Sequence, residues 1–304
     1  MKVSTIVGRS KGYLDGKLSE SLFNFPRGLC FDKEGNLLVA DCWNHCIRKI
    51  SINNGMVTTI AGCGEGFVNG NALTEAKFNT PSSLAINDDI IYVSDTNNNA
   101  IRKISHGIVS TFATGFYSPF GITLDNNGNI LVADCKNDSI KRIDSNNGSI
   151  YTFPKSIEYP NEVTISSNGI IYVSTNNGII SYWNDDNWKI ITQTNKEING
   201  MKIDSFNNLL FVESESNCIK KMNLNNGEIS LFAGFEEGKE GNLDRLLLES
   251  RFNFPFDIIM NNSSIYISDY DNHTILKISL LGLWNKGKKE KTSLFILFQF
   301  YFIF

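Results

Sequence analysis

Histidine is nearly missing from this chain. His45, His106 and His273 are the only three, too few to build a zinc site from several imidazoles. Cysteine is present six times, as Cys30, Cys42, Cys46, Cys63, Cys135 and Cys218, but never as Cys-x-x-Cys. A chain of 304 residues does not need a disulfide framework. The six are therefore read as reduced thiols of a cytoplasmic protein. Met1 to Gly8 lacks the long apolar stretch of a secretory leader. No excess of positive charge exists either: the formal net charge is −4, which gives no footprint for nucleic acid. The apolar run from Leu294 to Phe304 falls well short of the ~20 residues that a transmembrane helix needs.

What the chain has in quantity is repetition. The segment Leu37 to Ile50, LLVADCWNHCIRKI, returns at Ile90 to Ile104, Asn129 to Ile143, Leu209 to Met222 and Ser264 to Ile278. A degenerate copy, two residues short in its turn, runs from Ile170 to Trp183. The landmark residues Asp41, Asp95, Asp134, Thr175, Glu213 and Asp269 are spaced by 54, 39, 41, 38 and 56 residues. Each copy reads as four strands, a to d, of period-two alternation separated by Asn/Gly turns. A single such sheet cannot bury both faces, whereas six packed radially can. The expected fold is all-β, a six-bladed β-propeller with four-stranded blades. The segment Val3 to Gly8 matches strand d of blade 1, Val57 to Gly62, and the last copy has no strand d of its own. The N-terminal strand is therefore expected to pair with the last blade and close the ring, removing two free edges.

The pattern Pro-x-Gly, Asp-x-x-Gly-Asn, Val-Ala-Asp, Asn-His-x-Ile-Arg-Lys-Ile resembles the NHL repeat. Asn44 to Ile50 and Asn272 to Ile275 stand closest to its signature. The resemblance covers residues 3 to 279. It departs at Ser83 in blade 2, at Glu162 and the shortened turn in blade 4, at the missing proline of blade 5 and at Asp257 in blade 6. It implies one propeller over 1–279 and a non-repeat tail over 280–304, basic and then Phe-rich. The tail has three readings: a membrane-surface anchor, a packing strand, or translated non-coding sequence.

Several constellations admit a functional reading beside a plainer one. Asp41, Asp95, Asp134 and Asp269 end strand b and are expected to cap the b–c turns by accepting backbone N–H groups. The dyads Arg48-Lys49, Arg102-Lys103, Lys141-Arg142 and Lys220-Lys221 could contact phosphates, as in NHL propellers that bind RNA. Alternation, however, puts the two members on opposite faces, so their stems should cover blade seams while their charges reach solvent. Cys42, His45 and Cys46 could seed a zinc site, but no second pair stands at zinc spacing, so no metal is assigned. Glu162 and Asp257 replace glycines at the start of the innermost strand, with Asn161 and Asn199 beside them. They are expected to be solvated loop carboxylates; the alternative is a hard cation or ligand site at the channel mouth.

Three long d–a connections, Gly8 to Pro26, Gly62 to Pro81 and Gly234 to Pro255, precede blades 1, 2 and 6. Each should contain a short helical run, at Leu18 to Phe23, Ala72 to Phe78 and Leu243 to Phe252. Together they should build a wall on one sector of the face that carries the d–a and b–c loops. Trp43, Tyr270, Arg27, Phe120 and Phe256 are the partner-binding candidates there. The resulting expectation is a monomeric, non-catalytic binding scaffold with a protein or ligand partner and no cofactor. The alternatives are a cation-dependent lactonase- or lyase-like propeller enzyme and an RNA-binding NHL propeller.

Overall fold

A computed structural model describes residues 1–280 except 185, 236, 237 and 262. The basic and Phe-rich parts of the tail lie outside the described residues. The expected architecture is found: six antiparallel sheets whose innermost strands contact one another in a closed ring. Blade 1 shows the common plan, with strand a at Pro26–Phe31, b at Leu37–Asp41, c at Cys46–Ser51 and d at Met56–Ala61. Strand b is buried along its whole length, as a strand between two packed faces must be. The hydrophobic cores lie in the seams between blades, where Leu37, Val39, Ile47 and Val57 pack with Phe78, Leu84 and Val93 of the next blade.

Ring closure follows the sequence reading. Val3–Val7 pairs antiparallel with Thr274–Ser279, with Val3 opposite Ile278 and Ser4 opposite Lys277. The first strand of the chain is thus strand d of the last blade.

Among the described residues the long connections hold no helices. In blade 1 the chain makes a tight excursion in which Gly16–Lys17 pairs with Val57 and Met56 as a fifth, outermost strand. Gly70–Asn71 does the same against Ile108 and Val109 in blade 2. In blade 6 Lys2 bridges Leu246 and the Val3 N–H donates to Arg245 O. The apolar spacing that suggested helices belongs to short bridged turns. A few residues cannot repay helix nucleation, and their backbone groups find better partners on the sheet edge.

Every innermost strand carries a β-bulge near its start. In blade 1 Pro26 faces Asp41 and Leu29 faces Val39, so Arg27 and Gly28 together oppose Ala40. Equivalent register shifts fall at Pro81/Leu84, Pro119/Ile122, Pro160/Glu162, Ile198/Met201 and Pro255/Asp257. A bulge re-aims the side chains on it. Here it presents two residues per blade at one mouth of the central channel.

Candidate functional site

The first of these two bulge positions forms an outer ring: Arg27, Ser82, Phe120, Asn161, Asn199 and Phe256. The second forms a ring one step deeper, in which glycine alternates with a polar residue: Gly28, Ser83, Gly121, Glu162, Gly200 and Asp257. The alternation is steric. A Cβ on Gly121 would lie 2.5 Å from Glu162 Oε2, and one on Gly200 would lie 2.7 Å from Asp257 Cα. Only every second blade can place a side chain at this depth.

Glu162 and Asp257 are therefore not solvated loop carboxylates. Both are buried, at 7% and 8% exposure, on the innermost strands. Asp257 bridges blades: Oδ2 accepts the Leu29 N–H of blade 1 at 2.8 Å and Oδ1 accepts the Ile258 N–H at 2.7 Å. Ser83 makes the corresponding bridge to the Ile122 N–H of blade 3. Glu162 is one methylene longer than aspartate. Among the described residues only the Val163 N–H supports its carboxyl. Burial, and then the nearby Asp257 charge, pushes it well above the usual carboxylate range. Burial also raises Asp257, opposed first by the Lys202 charge. Lys202 lies on the innermost strand of blade 5, Ile198–Ile203. Its charge also opposes the effect of burial on the Cys30 thiol, which stands at about 12. Asn161 and Asn199 are joined to each other at 3.3 Å, and Asn199 continues through Ser214 to Pro255 O. Among the described residues no three His, Cys, Asp or Glu side chains converge to hold a metal ion.

At the mouth the partner-binding candidates come together. The Arg27 guanidinium carbon lies 4.9 Å from the Phe256 ring centroid and 5.3 Å from those of Phe120 and Tyr270. Trp43 is half exposed, and its Nε1 donates to Tyr270 Oη at 3.1 Å. Phe25 and Phe254, which sequence reading missed, complete the group: Tyr270 stacks 4.6 Å from Phe25 and 5.9 Å from Phe254. Tyr270 is therefore a packed support, and Trp43 is the projecting member.

Phe25 and Phe254 owe their placement to a recurring latch. Each precedes a proline yet has a left-handed backbone, with φ of 54° and 51°, a conformation costing about 1–2 kcal/mol for a non-glycine residue. The N–H so directed is taken up by the b–c turn of the preceding blade: Phe25 by His273 Nδ1 at 3.1 Å and Phe254 by Asn217 Oδ1 at 2.7 Å. Thr80, Ser118 and Tyr159 are held likewise by His45, Asn99 and Asp138. At the blade 4–5 seam the turn residue is Gly178 and strand a begins with Ile198, not proline. Both histidines are consequently neutral acceptors at Nδ1, and burial lowers their pKa values.

The strand-b carboxylates do not cap the turns that follow them. Asp41 Oδ1 instead accepts the Asn24 N–H of the d–a connection, while Oδ2 receives Asn44 Nδ2 and Arg48 Nη1. Asp95 and Asp134 repeat this with Arg102 and Lys141. Arg48 and Arg102 are wholly buried, contrary to the expectation that the dyad charges reach solvent. Arg48 also bonds Asp15, Leu14 O and Leu22 O, and it stacks between Tyr13 and Phe23. Blade 6 breaks the pattern. Leu276 stands where the cation belongs, and burial pushes Asp269 up to about 8. All six cysteines are free, and no helix among the described residues is long and apolar enough to cross a membrane.

Comparison with known proteins gives the same picture. The family model for the NHL repeat matches residues 23–50, 78–104 and 116–143. Human NHL repeat-containing protein 2 is 39% identical over 95 residues, which are 30% of this chain and 13% of that protein. The match thus spans about an eighth of that relative's length. A structural genomics protein from Bacteroides thetaiotaomicron superposes with a TM-score of 0.74 at 19% identity, over 91% of this chain and 75% of the other. Virginiamycin B lyase from Staphylococcus aureus gives 0.62 at 18% identity, over 88% and 98%. At such identities the likeness to these structures is one of fold. The six repeats, three of them matched by the family model, and their arrangement in a closed ring make this chain an NHL-repeat protein folded as a six-bladed β-propeller.

Proposed function

We propose that this propeller is a non-catalytic binding scaffold that engages another protein on the face carrying the d–a and b–c loops, in the sector of blades 6, 1 and 2. One observation carries the reading: a half-exposed Trp43 held by Tyr270, with Phe25, Phe254 and Phe256 stacked behind it. Rigid aromatic groups at the centre of a face lose little entropy on binding and supply most of the energy of many interfaces. The inserted connections extend the same sector, with Tyr13, Phe67, Leu73 and Leu246 exposed along it. Trp43→Ala combined with Tyr270→Phe removes the projecting ring and the hydroxyl that orients it, and spares the packed ring. The pair should weaken partner capture at least tenfold with little change in melting temperature. Unchanged capture would remove this sector as the interface.

A second reading rests on Glu162, a buried carboxyl on an innermost strand that feels the charge of a second buried acid, Asp257. A cation-dependent lyase- or lactonase-like site there would make calcium or zinc raise the melting temperature, because a ligand bound only by the native state stabilises it. Glu162→Gln would abolish the rise. No shift at millimolar metal eliminates this reading.

A further inference from the structure

Among the described residues four arginines stack on rings in the blade 1, 2 and 6 sector: Arg251 over Phe235 alone, Arg48 and Arg102, which also hold acids, and Arg27. Arg48 lies over Tyr13 and Phe23 and bonds Asp41 and Asp15. Arg102 lies over Phe67 and Phe78 and bonds Asp95 and Asn69. Arg27 has the same aromatic seating, over Phe120, Phe256 and Tyr270, without the acid. Its one hydrogen bond runs from Nη2 to Tyr270 Oη at 3.5 Å, the outer limit for such a bond. Its Nε is buried without a partner, as are those of Arg102 and Arg251, so the missing acid is what separates it from Arg48 and Arg102. Among the described residues it makes no ion pair. Three rings fix its plane, so little ordering cost remains for an incoming group.

We propose that Arg27 is a preorganised receptor for a carboxylate of the protein partner, an acidic side chain or a chain end, with an adjacent aromatic or apolar side chain seated against Trp43. The proposal rests on the binding-scaffold reading and adds the chemistry of the bound segment. A planar guanidinium fork binds a carboxylate through two parallel N–H···O bonds. A polyanion fits poorly. Lys11, over Phe25 at 5.5 Å, is the neighbouring cation, whereas Glu197, Glu162 and Asp257 stand around and below the mouth. A nucleic-acid strand needs a basic stripe along its phosphates.

The test uses the full chain, labelled with nitrogen-15 at tryptophan, and follows the Trp43 Nε1–H resonance, assigned by Trp43→Phe. The probes are 3-phenylpropanoate, its amide, phenyl phosphate and an octameric oligouridine. The carboxylate should shift the resonance saturably, at least tenfold more tightly than the amide. Arg27→Lys and Arg27→Gln should each lose that preference, with melting temperatures showing that both are folded. Equal binding of acid and amide, no binding of either at 10 mM, or tighter binding of phenyl phosphate or oligouridine would overturn the assignment. Capture of the protein partner through Trp43 is measured separately. Its persistence alongside a lost acid preference would overturn the role of Arg27 and leave the binding face standing.

Discussion

Replacing Arg48 by leucine should convert blade 1 into the arrangement that blade 6 already has. Asp41 is buried beside Arg48 and stands at about 6, burial raising it and the guanidinium opposing that rise. Asp269, with Leu276 where the cation would be, stands at about 8. Each unit is worth about 1.4 kcal/mol, so the exchange adds roughly 3 kcal/mol of penalty for the ionised form. The sign follows from linkage. A carboxyl whose folded value is raised contributes stability that is fully present below the unfolded value of about 4 and lost as the pH rises through the folded value. In the wild type that loss is complete a little above pH 6; in Arg48→Leu it should continue to about 8. The lost bonds to Leu14 O and Leu22 O add a cost that does not depend on pH. At alkaline pH the whole change should reach about 3–5 kcal/mol, the usual cost of orphaning a buried charge. Melting curves of both proteins at pH 5 and pH 9 read this directly. At the roughly 2 °C per kcal/mol of a chain this size, the gap between them should widen by about 5 °C. Adding Asp41→Asn should abolish the widening. A gap of equal size at both values would refute the claim that Arg48 serves to hold the Asp41 charge.

Three further outcomes follow from the ring. Deleting residues 1–8 removes the partner of Thr274–Ser279 and exposes a sheet edge, so soluble monomer should be lost; an unchanged monomer with the same melting temperature would contradict the closure. His273→Ala should destabilise the blade 6–1 seam by about 1–2 kcal/mol, whereas His273→Asn should restore the latch as Asn99 and Asn217 make it. Because burial lowers His45 and His273, their contribution is present above the unfolded value of about 6.5 and lost as the pH falls through the lowered folded values. The His45→Asn, His273→Asn double variant should lack this acid-side fall in melting temperature.

The ring itself was legible because its signals are local. Asp32 to Asn36 and Asp125 to Asn129 spell the a–b turn, and their carboxylates accept the N–H groups of Asn36 and Asn129 as such turns require. The match of Val3 to Gly8 with Val57 to Gly62 revealed the closure. What was not legible depends on partners distant in sequence. Alternation could place Arg48 on one face, but only the fold brings it to Asp15, 33 residues upstream. Glu162 looked like a loop residue because the bulge that carries it inward is a backbone irregularity with no residue signature. Phe25 and Phe254 were missed as site residues because their orientation is set by a latch from the preceding blade. That latch has a sequence trace all the same: wherever the turn offers His, Asn or Asp, the next blade begins with proline, and where it offers Gly178 it does not.

The central claim, that this propeller works through the sector around Trp43, is tested most directly by photocrosslinking. A benzophenone side chain is placed at position 43, and in a separate protein at position 206, which is exposed in the a–b turn of blade 5 on the opposite face. Irradiation with the captured partner should give a covalent adduct from position 43 and none from position 206. Equal adducts from both positions, or an adduct from position 206 alone, would contradict the account.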